Sequence, residues 1–251
     1  MDKMTIKTAR EIEIMREGGK MLAKIRDDAV RAVCPGMTTA QLDGIIDKAI
    51  ERTGGMPSFK MVKGYHHATC INVNEVVVHG IPGSYKIKDG DKVGIDLGLF
   101  YKGFHTDTSV TVTVNSDRYD KFLQAGRDAL QLAIAQAKGG KRIADISGAM
   151  QLAVERAGYS VVRALTGHGI GRELHEEPAV PCFVTGKYHH SPKIEAGMVL
   201  AIEVMYNEGG FEVAYKNDDG WTIVTTDGKI SGLFEETVAV TRAGPVVLTK
   251  T

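Results

Sequence analysis

The chain has 251 residues, 43% of them apolar, enough to fill the core of one large domain or two small ones. Thirty-one basic residues balance thirty-one acidic ones, so no net field draws the protein toward nucleic acid or an anionic membrane. Cys34, Cys70 and Cys182 match neither a zinc-knuckle spacing nor a disulfide framework, and no apolar run suits a signal peptide or a membrane span; a cytoplasmic protein with free thiols is expected.

Thr8 followed by Glu11 has the spacing of a capping box, and Ile12, Met15, Gly19, Leu22, Ile25, Ala29 and Val33 recur at helical period. This predicts a first helix that ends at Cys34-Pro35-Gly36. Thr38 and Gln41 repeat the box, and Leu42, Ile45, Ile46, Ala49 and Ile50 predict a second helix stopped by Gly54-Gly55. Strand-forming sequence follows over Thr69 to His79, Lys92 to Phe100 and Phe104 to Val114, the last two joined by a hairpin turn at Tyr101-Lys102-Gly103. Helices return over Asp117 to about Lys138 and Ile143 to Arg156. The last third reads as strands at Val161 to Leu165, Met198 to Tyr206, Trp221 to Thr225 and Phe234 to Thr241.

Two helices followed by strands, twice over, suggest a duplication. A shift of 104 places lays Gly36, Ala40, Gly44, Ala49, Glu51, Arg52 and Gly54 on Gly140, Ala144, Gly148, Ala153, Glu155, Arg156 and Gly158. No Pro- or Ser-rich linker separates the halves, so residues 1–251 are expected to form one α+β domain with pseudo-twofold related halves.

Asp96 lies within the apolar run Val93-Gly94-Ile95-Asp96-Leu97-Gly98-Leu99, where an uncompensated carboxylate costs several kcal/mol. A hairpin loop of two or four residues sets Asp107 directly or diagonally across from it on the same face. Two such acids must share a proton or bind a cation, unless Thr106-Asp107-Thr108 is an exposed edge. In Thr166-Gly167-His168-Gly169-Ile170-Gly171-Arg172, three glycines frame a histidine that is neutral enough at pH 7 to coordinate metal, and His175-Glu176-Glu177-Pro178 follows. A phosphate loop is the competing reading, but the Gly-Lys-Ser/Thr ending is missing. Glu203 is the single acid in Met198-Val199-Leu200-Ala201-Ile202-Glu203-Val204-Met205, and Glu235 and Glu236 precede Thr237-Val238-Ala239-Val240. Alternation puts only one of that last pair on a given face, and composition does not choose. Together these residues describe an oxygen-rich site with imidazole, suited to Mn, Fe, Co or Zn.

Asn72-Val73-Asn74-Glu75 leading to His79-Gly80-Ile81-Pro82, then Asp96, Gly103-Phe104-His105-Thr106-Asp107-Thr108, the His168 and His175 segments, Glu203 and Phe234-Glu235 together resemble type I methionine aminopeptidases, from the first helix to about Thr241. The resemblance implies a pita-bread fold, a curved antiparallel sheet covered by helices, and two divalent metal ions. It assigns Asp96 to one ion, His168 and Glu203 to the other, and Asp107 and Glu235 as bridges, which selects Glu235 over Glu236. It implies that His79 and His175 contact the substrate amide, that Glu203 also serves as acid and base, and that Tyr65, Cys70, Leu174 and Trp221 line the pocket for a methionine side chain. Asn74, Val76 and Ser231 match a monovalent-cation site. The implied substrate is a nascent polypeptide with a small second residue, met at or near the ribosome by a monomer. This sequence departs from the pattern at Leu174 (usually aromatic), Val204 (proline), Glu236 (often histidine) and His66-His67-Ala68-Thr69. The weighed alternatives are an Xaa-Pro dipeptidase or aminopeptidase of the same fold and a metal-free adaptor. Only 28 positions separate His175 from Glu203, too few for the insertion of type II enzymes, and all five ligands are present.

Overall fold

A computed structural model describes residues 4–216 and 219–251. The Thr8 hydroxyl accepts from the Glu11 N–H while the Glu11 carboxylate accepts from the Thr8 N–H, and this box starts α1 (Ala9–Ala32). Thr38 and Gln41 start α2 (Thr39–Glu51) in the same way. The strands β1 (Met56–Pro57), β2 (Thr69–Val73), β3 (Val76–Val78), β4 (Lys92–Tyr101) and β5 (Phe104–Thr113) complete the first half. The second half contains α3 (Asp120–Ile134), α4 (Ile143–Arg156), β6 (Ser160–Val161), β7 (Thr166–Gly169), β8 (Glu176–Pro181), β9 (Val199–Asn207), β10 (Val213–Tyr215), β11 (Ile223–Thr225), β12 (Ser231–Thr241) and β13 (Gly244–Val247).

Several boundaries differ from the sequence expectation for local reasons. The strand expected over Thr69 to His79 breaks in two because Asn74 takes the left-handed conformation (φ 51°), turning the chain between β2 and β3. Of Val161 to Leu165 only the start pairs: Ser160 and Val161 face Asn207 and Tyr206 of β9, the Val162 N–H donates to Met205 O at 2.9 Å, and the chain then leaves that edge, which β7 takes over. The strands β7 and β8 escaped sequence reading because glycine and proline carry little strand propensity.

Ten strands form an antiparallel sheet in the order β1-β4-β5-β12-β9-β7-β8, with β2 on β4, β6 on β9 and β13 on β12; β10, β11 and β3 form a second, smaller sheet. The helix α1 packs behind β4 and β5, and α3 packs behind β9 and β12. Alternation divides each strand between two jobs. Ile95, Leu97 and Leu99 point toward Leu22, Ile25 and Ile46, while Leu200, Ile202 and Val204 join Phe122, Leu130 and Met150 in the other helix-side core. Each such side chain contributes about 1.5–3 kcal/mol on burial, so one face holds the sheet together and the opposite face is free to carry polar groups.

The two halves repeat in detail. Gly36 and Gly140, both left-handed (φ 87° and 88°), donate to Ile87 O and Ile194 O at 2.8 and 3.0 Å. Isolated bridges follow at Thr38 with Lys86 and at Arg142 with Lys193. This is the pseudo-twofold pita-bread architecture expected from the sequence.

Candidate metal centre and substrate cavity

Lys102 and Gly103 both have positive φ (48° and 86°), the backbone of a two-residue hairpin loop, and Tyr101 pairs with Phe104. That register puts Asp96 opposite Ser109 and Gly98 opposite Asp107, so the two aspartates lie diagonally on one face. Ser109 in turn faces Glu235, Glu235 faces Glu203, and on the other side Cys70 faces Asp96. One transverse row therefore runs Cys70, Asp96, Ser109, Glu235, Glu203 across five strands. Asp107 and His168 belong to the neighbouring row, His168 facing Ala201 two residues before Glu203. Ligand atoms of Asp107, His168 and Glu235 come within 4.8 Å of one another, and Asp96 and Glu203 flank them.

Glu235 and Glu236 part company here. Glu236 points to the helix side, where Arg26 of α1 approaches its carboxylate to 3.0 Å and the Thr249 hydroxyl donates to it. Glu235 is 3% exposed and points into the acidic row.

No lysine or arginine among the described residues neutralises this row. Burial pushes Asp96 up to about 7, and burial followed by mutual repulsion raises Asp107, Glu203 and Glu235 well above the carboxylate range. Isolated buried carboxylates cost several kcal/mol each, and whole domains are stable by only about 5–15 kcal/mol, so four ionised acids require a cation. His168 fits the same requirement. Its Nδ1 donates to Gly169 O at 2.9 Å, which leaves the Nε2 lone pair free, and burial depresses the ring to about 3, keeping it neutral. The buried Ser109 hydroxyl, central in the row, has no protein partner. Four carboxylates, an imidazole and an orphaned hydroxyl fit a divalent cation.

Two of the glycines that frame His168 serve close approach between strands. A Cβ on Gly167 would stand 2.5 Å from Ala201 O, and one on Gly169 would stand 2.3 Å from Glu177 O. They let β7 fit tightly between β9 and β8.

All five acid and imidazole residues line one cavity of about 450 Å³, together with Tyr65, Cys70, His79, Leu174, His175 and Trp221. The Tyr65 hydroxyl donates to Thr69 O at 2.8 Å, so its ring is held edge-on to Trp221 with centroids 5.0 Å apart. His175 stands with its ring 4.5 Å from that of His168, keeps an exposed edge, and is lowered in pKa by desolvation. His79 occupies a left-handed backbone position (φ 56°) beside Trp221, and burial lowers it too. Sequence reading did not single out Phe59, Val62, Leu165 and Met205, which also line the cavity. Only Met205 had a signal, its place two residues beyond Glu203 on the same face.

Sequence reading also passed over Lys7 and Glu176. Their side chains, each 5% exposed, pair at 2.6 Å, and Glu176 Oε1 accepts from the Arg172 N–H at 2.9 Å. Burial opposes the Glu176 charge, but the hydrogen bonds from Lys7 and Thr5 win and hold its carboxyl below the usual range. This pair pins the bend that presents His175. Lys7→Met leaves Glu176 buried and unpaired, so thermal unfolding should show a loss of about 3–5 kcal/mol, part of which Glu176→Gln in the same chain should return. A single mutant as stable as wild type would refute the pinning role.

The pita-bread sheet and this cluster define a metal-dependent hydrolase. Metallopeptidase family M24 matches residues 13–242, and the chain belongs to that family. It is 45% identical over 246 residues to the methionine aminopeptidase of Clostridium perfringens, covering 97% of this chain and 98% of that one. The crystal structure of methionine aminopeptidase from Thermotoga maritima superposes with a TM-score of 0.94 at 38% identity, covering 99% of this chain and all (100%) of that one. The prolidase from Pyrococcus horikoshii OT3 shares the fold (TM-score 0.80, 22% identity), and this chain spans 64% of it.

Proposed function

We propose that this protein is an aminopeptidase that hydrolyses the first peptide bond of polypeptides beginning with methionine and a small second residue. The observation that carries the reading is the row of acids with His168 lining a cavity of about 450 Å³ whose remaining wall is largely apolar. Asp96 would hold one divalent ion, His168 and Glu203 a second, and Asp107 and Glu235 both. Ions of the cobalt, manganese, iron or zinc class supply Lewis acidity there.

Glu203 then accepts a proton from the attacking water and delivers it to the departing amine. His175 donates to the carbonyl oxygen as negative charge develops, and His79 holds the amide of the second residue. Tyr65, Cys70, Leu174 and Trp221 receive the thioether side chain. Burial keeps the Cys70 thiol protonated, so it is a neutral wall beside Asp96. The chain would act as one catalytic domain, a monomer in the cytoplasm meeting nascent chains near the ribosome. No helix among the described residues is long and apolar enough to cross a membrane.

Metal-loaded protein should release Met from Met-Ala-Ser, stop on chelation and resume on metal addition. Cleavage of Ala-Pro with Met-Ala-Ser spared would replace this reading with an Xaa-Pro peptidase; cleavage of neither, with Asp96→Ala unchanged in metal content, would replace it with an adaptor.

A further inference from the structure

The three residues that resemble a monovalent-cation site, Asn74, Val76 and Ser231, meet at one point, where β2 turns into β3 beside the start of β12. A fourth residue reaches the same point. Lys92, the first residue of β4, is 1% exposed and its Nζ lies 3.0 Å from Asn72 O and 3.0 Å from Val76 O. The Asn74 carbonyl accepts from the Ser231 N–H at 3.1 Å and the Glu75 carbonyl from the Thr225 N–H at 3.0 Å.

The neighbouring acids are otherwise engaged. Glu75 pairs with Lys216 at 2.8 Å, and Asp91 accepts from the Asn74 amide, the Tyr85 hydroxyl and the Lys88 N–H, each at 2.9 Å. Among the described residues Lys92 therefore hydrogen-bonds main-chain carbonyls and no carboxylate. That is the coordination of a metal cation, made by a side chain. Burial lowers Lys92 to about 7, against the weaker pull of Glu75, so the ammonium form prevails below that pH. A monovalent ion sharing the Val76 oxygen would stand roughly 5 Å from the ammonium, and repulsion at an effective dielectric near 20 would weaken its binding on the order of a hundredfold or more. The residues present do not fit a separate monovalent ion.

We infer that Lys92 is a built-in cation: its ammonium takes the place at the β2–β3 turn that a monovalent metal ion would fill, and the protein requires no such ion. The position matters because three site-bearing segments leave it. Asp96 lies four residues beyond Lys92, His79 three beyond Val76, and Glu235 four beyond Ser231. The Lys92 side chain ties the β2–β3 turn to β4, and the Asn74 carbonyl ties that turn to the start of β12.

The test reads stability and ion occupancy, so it stands apart from whether the protein turns over Met peptides. Thermal unfolding of wild type at pH 6 and constant ionic strength should give the same midpoint in choline, lithium, sodium and potassium chloride, within about 1 °C. Lys92→Ala should unfold at a lower temperature in choline chloride and recover saturably in sodium or potassium chloride as an ion enters the emptied site. A saturable, ion-specific rise in wild type would overturn the inference. So would an alanine variant that matches wild type in choline, or one that no alkali ion rescues. Should that variant not fold in any of these salts, wild-type crystals soaked in thallium(I) acetate decide alone: no thallium density at the Val76 carbonyl is expected, and density there would overturn it.

Discussion

Stripped of metal, the protein should lose thermal stability as pH rises from about 5 to about 8, and added divalent metal should restore it. The sign follows from the four buried acids. Their folded-state pKa values are raised, Asp96 to about 7 by burial, and Asp107, Glu203 and Glu235 well above the carboxylate range by burial and then mutual repulsion. Between the ordinary carboxylate range near pH 4 and those raised values the folded chain binds more protons than the unfolded one, so stability falls with pH across that window. Asp96 alone should contribute roughly 2–3 kcal/mol of the loss between pH 5 and pH 8. A bound cation takes over the role of the protons and favours the ionised acids, so the loaded protein should keep its stability at pH 8. Calorimetric scans at several pH values with chelator and with metal check this. A chelated protein as stable at pH 8 as at pH 5 would mean that the acids are neutralised by something else.

Glu203→Gln should fold normally and lose turnover by about 10²–10⁴-fold, the usual worth of a positioned general acid and base. The amide keeps the shape of the side chain and removes one of four crowded negative charges, so the metal-free variant should unfold at a higher temperature than wild type at pH 8. Glu203 stands directly across from Glu235 on β9 and β12, which makes the charge relief local. Metal content must be measured alongside the rate, since a lost ligand also lowers activity. Turnover within tenfold of wild type at equal metal content would remove Glu203 from proton transfer.

Much of the site was legible because sheet geometry is periodic. An apolar strand interrupted by one acid exposes its own exception, and a short hairpin turn at Lys102-Gly103 carries Asp96 and Asp107 to one face. The helices α1 and α2 were equally readable through their capping boxes. The strands β7 and β8 were not, because the glycines of β7 serve close approach and the prolines of β8 carry little strand propensity. Ser109 was likewise invisible, since its place between Asp96 and Glu235 depends on pairing two strands far apart in the chain.

The sequence alone marked Asp96 and Glu203 as charges in apolar strands that need a partner, and brought Asp107 to the face of Asp96, because that follows from local pattern, a short hairpin turn and the cost of burial. Between Glu235 and Glu236 local pattern is silent, since either could face the cavity. The tertiary structure decided it: Arg26, 210 residues away on α1, waits on one side of β12, and the acid row waits on the other. Lys92 shows the same division. A lysine opening a strand reads as surface, and only the meeting of the β2–β3 turn with β4 buries its ammonium against two carbonyls.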